Sequence, residues 1–288
     1  MKVAHDAPAF ADALAEAEAL LVRTYTRVDE TLLRAAPRLR VIGRAGVGLD
    51  NVDVPACRAR GIEVVYTPEA NTQAVVEYVL CLIADALRPR RTVDQALQVR
   101  PWEQIRQETS GRREMSECTI GILGLGRIGK RIAQVAGAIG SRVLYNDLVS
   151  MPPEARFGAE PVAAENLFEE ADILSIHIDG RSDNRDFIGP ELITRLKDDV
   201  VFLNTSRGFV VDNVALAGFL CAHPRAEAHL DVHEPEPFDA SYPLLGLPNA
   251  KLYPHLAART ERAMLNMSWV VKDVMAVLEG RAPQWPAP

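Results

Sequence analysis

The 288-residue sequence predicts an α/β fold built on a doubly wound parallel sheet, and three observations carry that reading. Short apolar runs alternate with helical patterns from one end to the other, as parallel strands joined by crossover helices require. The segment TIGILGLGRIGKRIAQVAGAIGSRVLYND, Thr119 to Asp147, reads as strand, glycine-rich turn, helix and a second strand ending in a carboxylate. Finally, Arg207, Glu236 and His255 each follow an apolar run, at the strand ends where such sheets bind ligands.

Taken in order, the first region has the end of a helix at about Pro8 to Glu18 and a strand at Ala19 to Val22. A helix at Glu30 to Ala36 follows, then a strand at Arg40 to Gly43, a helix at Pro55 to Arg60 and a strand at Glu63 to Tyr66. A long helix from Thr72 to Leu87 carries Val75, Val76, Val79, Leu80 and Ile83 on one broad apolar face. Arg88-Pro89-Arg90-Arg91 ends it, because proline stops a helix and basic groups suit its C-terminal dipole. The first domain crossing is placed there, giving one domain from residues 1–90 and 257–288 and a second from 91–256. In the second domain, strands at Ile173 to Ile178, Val200 to Asn204 and Ala228 to Val232 complete the sheet around the glycine turn. A final amphipathic helix, Glu261 to Leu278, uses Met264, Trp269, Val270 and Val274, ends at Gly280 and returns to the first domain. The proline-rich tail Ala282 to Pro288 reads as irregular.

Composition describes a soluble cytoplasmic protein. With 32 Lys plus Arg against 39 Asp plus Glu, the formal charge is −7, and without a sustained basic run no nucleic-acid groove is expected. Cys57, Cys81, Cys118 and Cys221 are far apart and read as buried reduced thiols, with no metal site implied. His5 and Asp6 occupy the place where a signal peptide needs its apolar core, and Glu77 and Asp85 interrupt the longest apolar stretch. Neither export nor a membrane partner is expected.

The chemistry starts at the glycines. Gly124, Gly126 and Gly129 form GxGxxG between a β-type run and an amphipathic helix carrying Ile132, Val135 and Ala136. The first glycine permits the tight turn, the second lets backbone approach a pyrophosphate, and the third lets helix pack on strand. Amides near Arg127 and Ile128 then face the phosphates at the positive end of the helix dipole. Asp147, 23 residues beyond Gly124, stands where a carboxylate accepts the ribose hydroxyls of NAD. Its neighbours Asn146 and Leu148 offer no cation for a 2′-phosphate, so NAD is the expected cofactor.

Arg207 lies in LNTSRG, with Gly208 allowing an exposed turn. Glu236 lies in DVHEPEP and His255 follows KLYP. A guanidinium can hold a carboxylate and polarise the adjacent carbonyl, an imidazole can exchange a hydroxyl proton near neutral pH, and a carboxylate can orient the imidazole. Together these groups suit reduction of a 2-oxo acid, with no metal needed. Each alone has a plainer reading, as a surface ion pair, a solvated turn acid or a satisfied polar group.

From about Leu20 to Gly280 the chain resembles the D-isomer-specific 2-hydroxyacid dehydrogenases. GLGRIG, NTSRG, the aspartate-x4-glutamate-proline pattern of Asp231 and Glu236-Pro237, and Pro254-His255 occur in that family's order. The resemblance implies a Rossmann-type cofactor domain inserted in a smaller, discontinuous, flavodoxin-like substrate domain, here without its N-terminal strand. It implies that Arg207 binds the substrate carboxylate and carbonyl, that His255 is the acid/base and that Glu236 is its partner. Asp231 would face the nicotinamide, with His177, Asn204 and Thr205 along the cofactor cleft.

The run VIGRAGVGLDNVD, Val41 to Asp53, is most similar to the phosphoglycerate dehydrogenase branch. That similarity implies amides around Val47 and Gly48 on the substrate carboxylate, Arg44 as a distal phosphate ligand, and Asn71 at a substrate-domain helix start. Arg259 is a second candidate for the phosphate. The segment Val93 to Arg113, with Trp102, corresponds to the arm of a twofold dimer, so a homodimer acting on a small 2-hydroxy or 2-oxo acid is expected.

The chain departs from the family pattern at three places. His177-Ile178-Asp179-Gly180-Arg181-Ser182-Asp183-Asn184 stands for HxPLTxxT, His233 replaces a usual aromatic, and Ala257-Ala258-Arg259 replaces glycine-glycine-serine. The regulatory extension of many phosphoglycerate dehydrogenases is also missing from the sequence. Two other functions fit the same motifs. One is an NAD-sensing, corepressor-like binding protein; the other is a dehydrogenase of formate or phosphite, although the formate enzymes carry glutamine at the position of Glu236.

Overall fold

A computed structural model describes residues 8–111 and 113–288. The chain divides into two compact units, one holding the chain up to Ala74 and again from Ala258, the other spanning Val75–Ala257.

In the first unit, α1 (Pro8–Glu16), β1 (Ala19–Val22), α2 (Glu30–Ala35), β2 (Val41–Arg44), α3 (Val54–Ala59) and β3 (Glu63–Tyr66) lead into α4 (Thr72–Leu87). The three strands are parallel in the order β1-β2-β3. Side-chain caps start the short helices: Asp29 accepts from the amides of Thr31 and Leu32, and Asp53 from that of Ala56. Leu33, Ile42, Cys57 and Val64 are fully buried between helices and sheet. The unit boundary after Ala74 falls inside α4, so this helix begins in one unit and continues in the other.

The second unit contains α5 (Val99–Glu108), β4 (Thr119–Leu123), α6 (Arg127–Ile139), β5 (Arg142–Asn146), β6 (Glu160–Pro161) and α7 (Ala164–Glu170). It continues with β7 (Ile173–Ile176), α8 (Pro190–Ile193), β8 (Val201–Asn204), α9 (Asn213–Ala222), β9 (Glu227–Leu230) and β10 (Ala250–Leu252). All seven strands are parallel, in the order β10-β9-β8-β7-β4-β5-β6. The order reverses at β4, which lies between β7 and β5, so the crevice that such a sheet offers to a ligand opens at the end of β4. β4, β7 and β8 are buried on both faces, as strands covered by helices on each side must be. This is the doubly wound α/β class that the sequence predicts.

Several local expectations are corrected. β2 runs Val41–Arg44, one residue later than expected, and β9 runs Glu227–Leu230, starting one residue and ending two residues earlier, because the apolar run does not mark the first hydrogen-bonded pair. The final helix is two helices, α10 (Glu261–Ser268) and α11 (Val270–Leu278), joined at Trp269. Their burial explains the break. Ala263 and Met267 of α10 pack with Ala74 and Ala70, whereas Val270 and Val274 of α11 pack with Val41 and Val65 of the sheet. One straight apolar stripe cannot serve both partners, and Trp269 at the joint stays 47% exposed.

The tail is also more ordered than its prolines suggest. Val65 of β3 forms an antiparallel bridge with Pro286, and Ala287 is buried in the first unit's core. All four cysteines are free, but Cys81 and Cys221 are exposed rather than buried. Among the described residues, no helix is long and apolar enough to cross a membrane.

Candidate active site

The glycine turn after β4 has the geometry that its sequence calls for. Gly124 has φ +96°, and a Cβ there would lie 2.8 Å from the carbonyl of His177 at the end of β7. A Cβ on Gly129 would lie 2.2 Å from the Gly124 carbonyl oxygen, so only glycine lets α6 sit this close to the turn. Gly126, the N-cap of α6, faces open space, leaving the helix N-terminus accessible to an anion. Asp147, just beyond β5, accepts from the amide of Leu125 at 2.6 Å and from that of Val149 at 2.8 Å. Its carboxylate is thereby fixed beside the turn.

Three further groups follow β7 and β8. His177 Nε2 shares a 2.7 Å hydrogen bond with the buried Ser175 hydroxyl, and burial pushes its imidazole down to about 3, a neutral ring at ordinary pH. Asn204 is spent on local structure: it accepts from Ser206 through both amide and hydroxyl, and donates to the Arg207 carbonyl at 2.8 Å. These bonds shape the turn that presents Arg207. Thr205 Oγ1, by contrast, is buried and among the described residues has no hydrogen-bond partner. A buried hydroxyl left in this state is costly unless a ligand engages it, so Thr205, the open Gly126 and the fixed Asp147 together fit a bound dinucleotide.

The loops after β8, β9 and β10 bring the proton-transfer groups together. His255 Nδ1 and Glu236 Oε2 are 2.8 Å apart. Burial works to raise the Glu236 carboxyl, but the hydrogen bond and charge of His255 outweigh it and hold Glu236 below the usual range. His255 itself has φ +56°, an uncommon backbone state for a non-glycine residue. Asp231, fully buried, accepts from the amides of Leu256 at 2.7 Å and Ala257 at 2.8 Å, which anchors the loop just past the histidine. Burial raises the Asp231 carboxyl against these two bonds, and after burial the nearby Asp231 charge also pushes the Tyr78 hydroxyl up.

Arg207 sits one loop away, in extended backbone before Gly208. The exposed turn expected at Gly208 is instead buried, and a Cβ there would fall 2.0 Å from the His233 carbonyl carbon. The loop carrying Arg207 therefore lies directly on the loop carrying Glu236. Asp179, in the loop after β7, is bonded to Arg181, whose charge also feels Asp147. Arg181 is thus a cation within electrostatic reach of Asp147, which the neighbours of Asp147 in sequence could not reveal.

Within the first unit, the bend after β2 presents the amides of Val47 and Gly48, which among the described residues donate to no backbone carbonyl. Arg44 is only 6% exposed, donates to the Ala45 carbonyl at 3.1 Å and packs over Gly46. Its guanidinium thus braces this bend. Asn71 Oδ1, just before α4, is buried without a hydrogen-bond partner among the described residues. Arg259 is exposed.

Residues 80–257 match the family model for the NAD binding domain of D-isomer specific 2-hydroxyacid dehydrogenases. The chain belongs to that family, and the matched segment is its NAD-binding domain. A glyoxylate reductase of Aeropyrum pernix is 35% identical over 274 residues, covering 93% of this chain and 82% of that protein. A D-3-phosphoglycerate dehydrogenase of Archaeoglobus fulgidus is 36% identical over 265 residues, covering 91% of this chain and 50% of the relative. The chain spans about half the length of the phosphoglycerate dehydrogenases it matches. Among solved structures, the D-lactate dehydrogenase of Aquifex aeolicus, complexed with NAD and lactic acid, superposes with a TM-score of 0.82 at 28% identity, covering 94% of this chain and 85% of that one.

The motif residues Arg207, Glu236 and His255 all lie on loops at one edge of the seven-stranded sheet, and Glu236 and His255 meet. Sequence reasoning missed Gly208 as a contact residue and Tyr78 altogether, and it noted His233 only as a departure from the family pattern. The only signal among these was His233, which departs from the family's aromatic.

Proposed function

We propose that this protein transfers hydride reversibly between NAD and C2 of a small D-2-hydroxy or 2-oxo acid, with glyoxylate, hydroxypyruvate and 3-phosphoglycerate as candidate substrates. The observation that carries the reading is the 2.8 Å pair of His255 Nδ1 and Glu236 Oε2. NAD supplies the nicotinamide that exchanges hydride. Arg207 binds the substrate carboxylate and draws charge from the carbonyl, an interaction that strengthens as the oxygen becomes an alkoxide. With Nδ1 engaged by Glu236, Nε2 is the nitrogen of His255 that passes a proton to that oxygen in reduction and takes it back in oxidation. The amides of Val47 and Gly48 are assigned to a substrate carboxylate, with Asn71 as a further substrate contact.

Gly124, Gly126, Arg127, Ile128 and Gly129 are assigned to the pyrophosphate, Asp147 to the adenosine ribose, and His177 and Thr205 to the cofactor cleft. Asp147 favours NAD over NADP by repelling a 2′-phosphate. Helix α5 has no buried residue, with Trp102 50% and Val99 73% exposed, which supports a homodimer through this segment. A cytoplasmic location accompanies this reading.

Purified protein assayed with NADH against glyoxylate, hydroxypyruvate, the oxo acid of 3-phosphoglycerate and branched 2-oxo acids tests the function. Turnover on at least one is expected, and His255→Ala should reduce it by roughly 10²–10⁴-fold while NADH still binds. Tight NADH binding with no turnover on any acid would replace the enzyme by a redox-sensing binding protein.

A further inference from the structure

We propose that His233 is a positioning residue that ties the loop bearing Glu236 to the loop bearing His255, by a hydrogen bond from its ring Nε2 to the Tyr253 carbonyl and one from its amide to Glu236. The proposal rests on the assignment of Glu236 and His255 as the proton-transfer pair. Its geometry, however, is independent of any substrate.

His233 is 4% exposed, so each of its polar atoms needs a partner. Nε2 lies 2.8 Å from the Tyr253 carbonyl oxygen. A carbonyl only accepts, so Nε2 carries the hydrogen. Nδ1 lies 3.2 Å from the Tyr242 hydroxyl, which in turn donates to Asn213 Oδ1 at 3.3 Å. The ring is held edge-on to Phe238 and Tyr242, with centroids 4.7 and 5.4 Å away. Both nitrogens thus face protein partners inside the fold.

The bonds close a circuit. The Tyr253 carbonyl accepts from the His233 ring and also from the His255 amide at 3.0 Å. The Glu236 carboxylate accepts from the His233 amide at 3.3 Å through Oε1, while its Oε2 meets the His255 ring. His233 therefore touches both ends of the proton-transfer pair, backbone to carboxylate at one end and ring to loop carbonyl at the other. It is braced in turn by Gly208, whose backbone packs on the His233 carbonyl. This arrangement holds His255 in its positive-φ conformation and keeps Glu236 turned toward Nδ1. The aromatic ring usual at this position in the family would fill the same space against Phe238 and Tyr242. It could not donate to Tyr253, so in this chain a polar tie takes the place of apolar packing alone.

His233→Phe, His233→Gln and His233→Asn separate the two roles. The Gln amide nitrogen lies where Nε2 does and can reach the Tyr253 carbonyl; the shorter Asn amide cannot. Nitrogen-15 NMR of the ligand-free protein reports the His255 tautomer without any turnover. In the unaltered protein Nδ1 should carry the proton shared with Glu236, and that signature should weaken in Phe and Asn but persist in Gln. In kinetics, Phe and Asn should lower kcat about five- to tenfold and displace its pH profile, with KM for the oxo acid and the NADH dissociation constant changed less than about twofold. Gln should recover most of the loss. Equal behaviour of Gln and Asn, or an unaltered His255 signature in Phe, would overturn the proposal and leave His233 a packing residue. Should Phe fail to fold, the Gln and Asn pair still decides. Should the protein bind NADH without turnover, the proposed reaction fails, and the NMR comparison alone decides whether His233 positions His255.

Discussion

Gly208 shows what one absent methyl group can decide. Its Cβ position overlaps the His233 backbone, with the carbonyl carbon at 2.0 Å and the oxygen at 2.1 Å, and neither neighbour is the flexible end of a side chain. Gly208→Ala should therefore force the Arg207 loop off the Glu236 loop. The expected result is a loss of about 1–3 kcal/mol in urea unfolding together with a fall in kcat/KM much larger than any change in NADH affinity. A variant with unaltered kinetics would show that the two loops can part without consequence. Arg207, Glu236 and His255 were legible in the sequence because short motifs with a chemical reason surround them. The close approach at Gly208 and the tie made by His233 were not, because both depend on loops that are distant in sequence and meet only once β8, β9 and β10 are side by side. The charge of Arg44 suggested a phosphate ligand, and its guanidinium packs over Gly46; Arg44→Ala should impair 3-phosphoglycerate chemistry far more than glyoxylate chemistry if it holds the phosphate, and both alike if it only braces the bend.

Among the elements, periodicity located most of the strands but left α5, α7, α8, α9 and β6 unplaced, while α4 was read with its full span because its apolar face is uninterrupted. What periodicity could not supply was a change of packing partner. α10 and α11 share one continuous pattern in sequence, yet they bury against different surfaces, and the break at Trp269 follows from that difference. The same holds for the tail, whose prolines argued against regular structure. Asp273 of α11, 8% exposed, accepts from the amides of Gln284 at 2.9 Å and Trp285 at 3.0 Å. The tail then exchanges Tyr66 N to Trp285 O and Ala287 N to Val64 O along β3. Asp273 is thus the hinge post of a small added edge on the three-stranded sheet. Asp273→Ala should lower unfolding stability by about 2–4 kcal/mol, since two amides lose a charged acceptor, and deletion of residues 282–288 should cost at least as much. Both are read from urea melts; a deletion with unchanged stability would mean that this edge adds nothing.

For the whole molecule, acid should be the chief threat to stability, and two groups set different pH windows. His177 has its folded pKa pushed down from 6.5 to about 3, so the unfolded chain takes up its proton first as pH falls. Its contribution is fully present above about pH 6.5 and declines toward pH 3, at about 1.4 kcal/mol per unit of pH at the limit. Asp172 acts lower down. Burial raises its carboxyl, but the Thr119 amide and the Lys197 and Arg113 side chains outweigh this and hold it below 3.8. Its contribution is present above that value and is lost as pH falls through the lower folded pKa. Asp172 joins the starts of β4 and β7 to the segment before β4 and to that before β8, so its protonation loosens the cofactor sheet at several strands together. Urea melts between pH 8 and pH 3 on the parent, His177→Gln and Asp172→Asn should show this division. His177→Gln should flatten the slope between about pH 6.5 and 4, and Asp172→Asn should lower stability at neutral pH while flattening only the steep part below about pH 4. Parallel curves for the parent and His177→Gln would mean that this imidazole takes up its proton equally well in the folded chain, and the neutral ring assigned to the cofactor cleft would have to be abandoned.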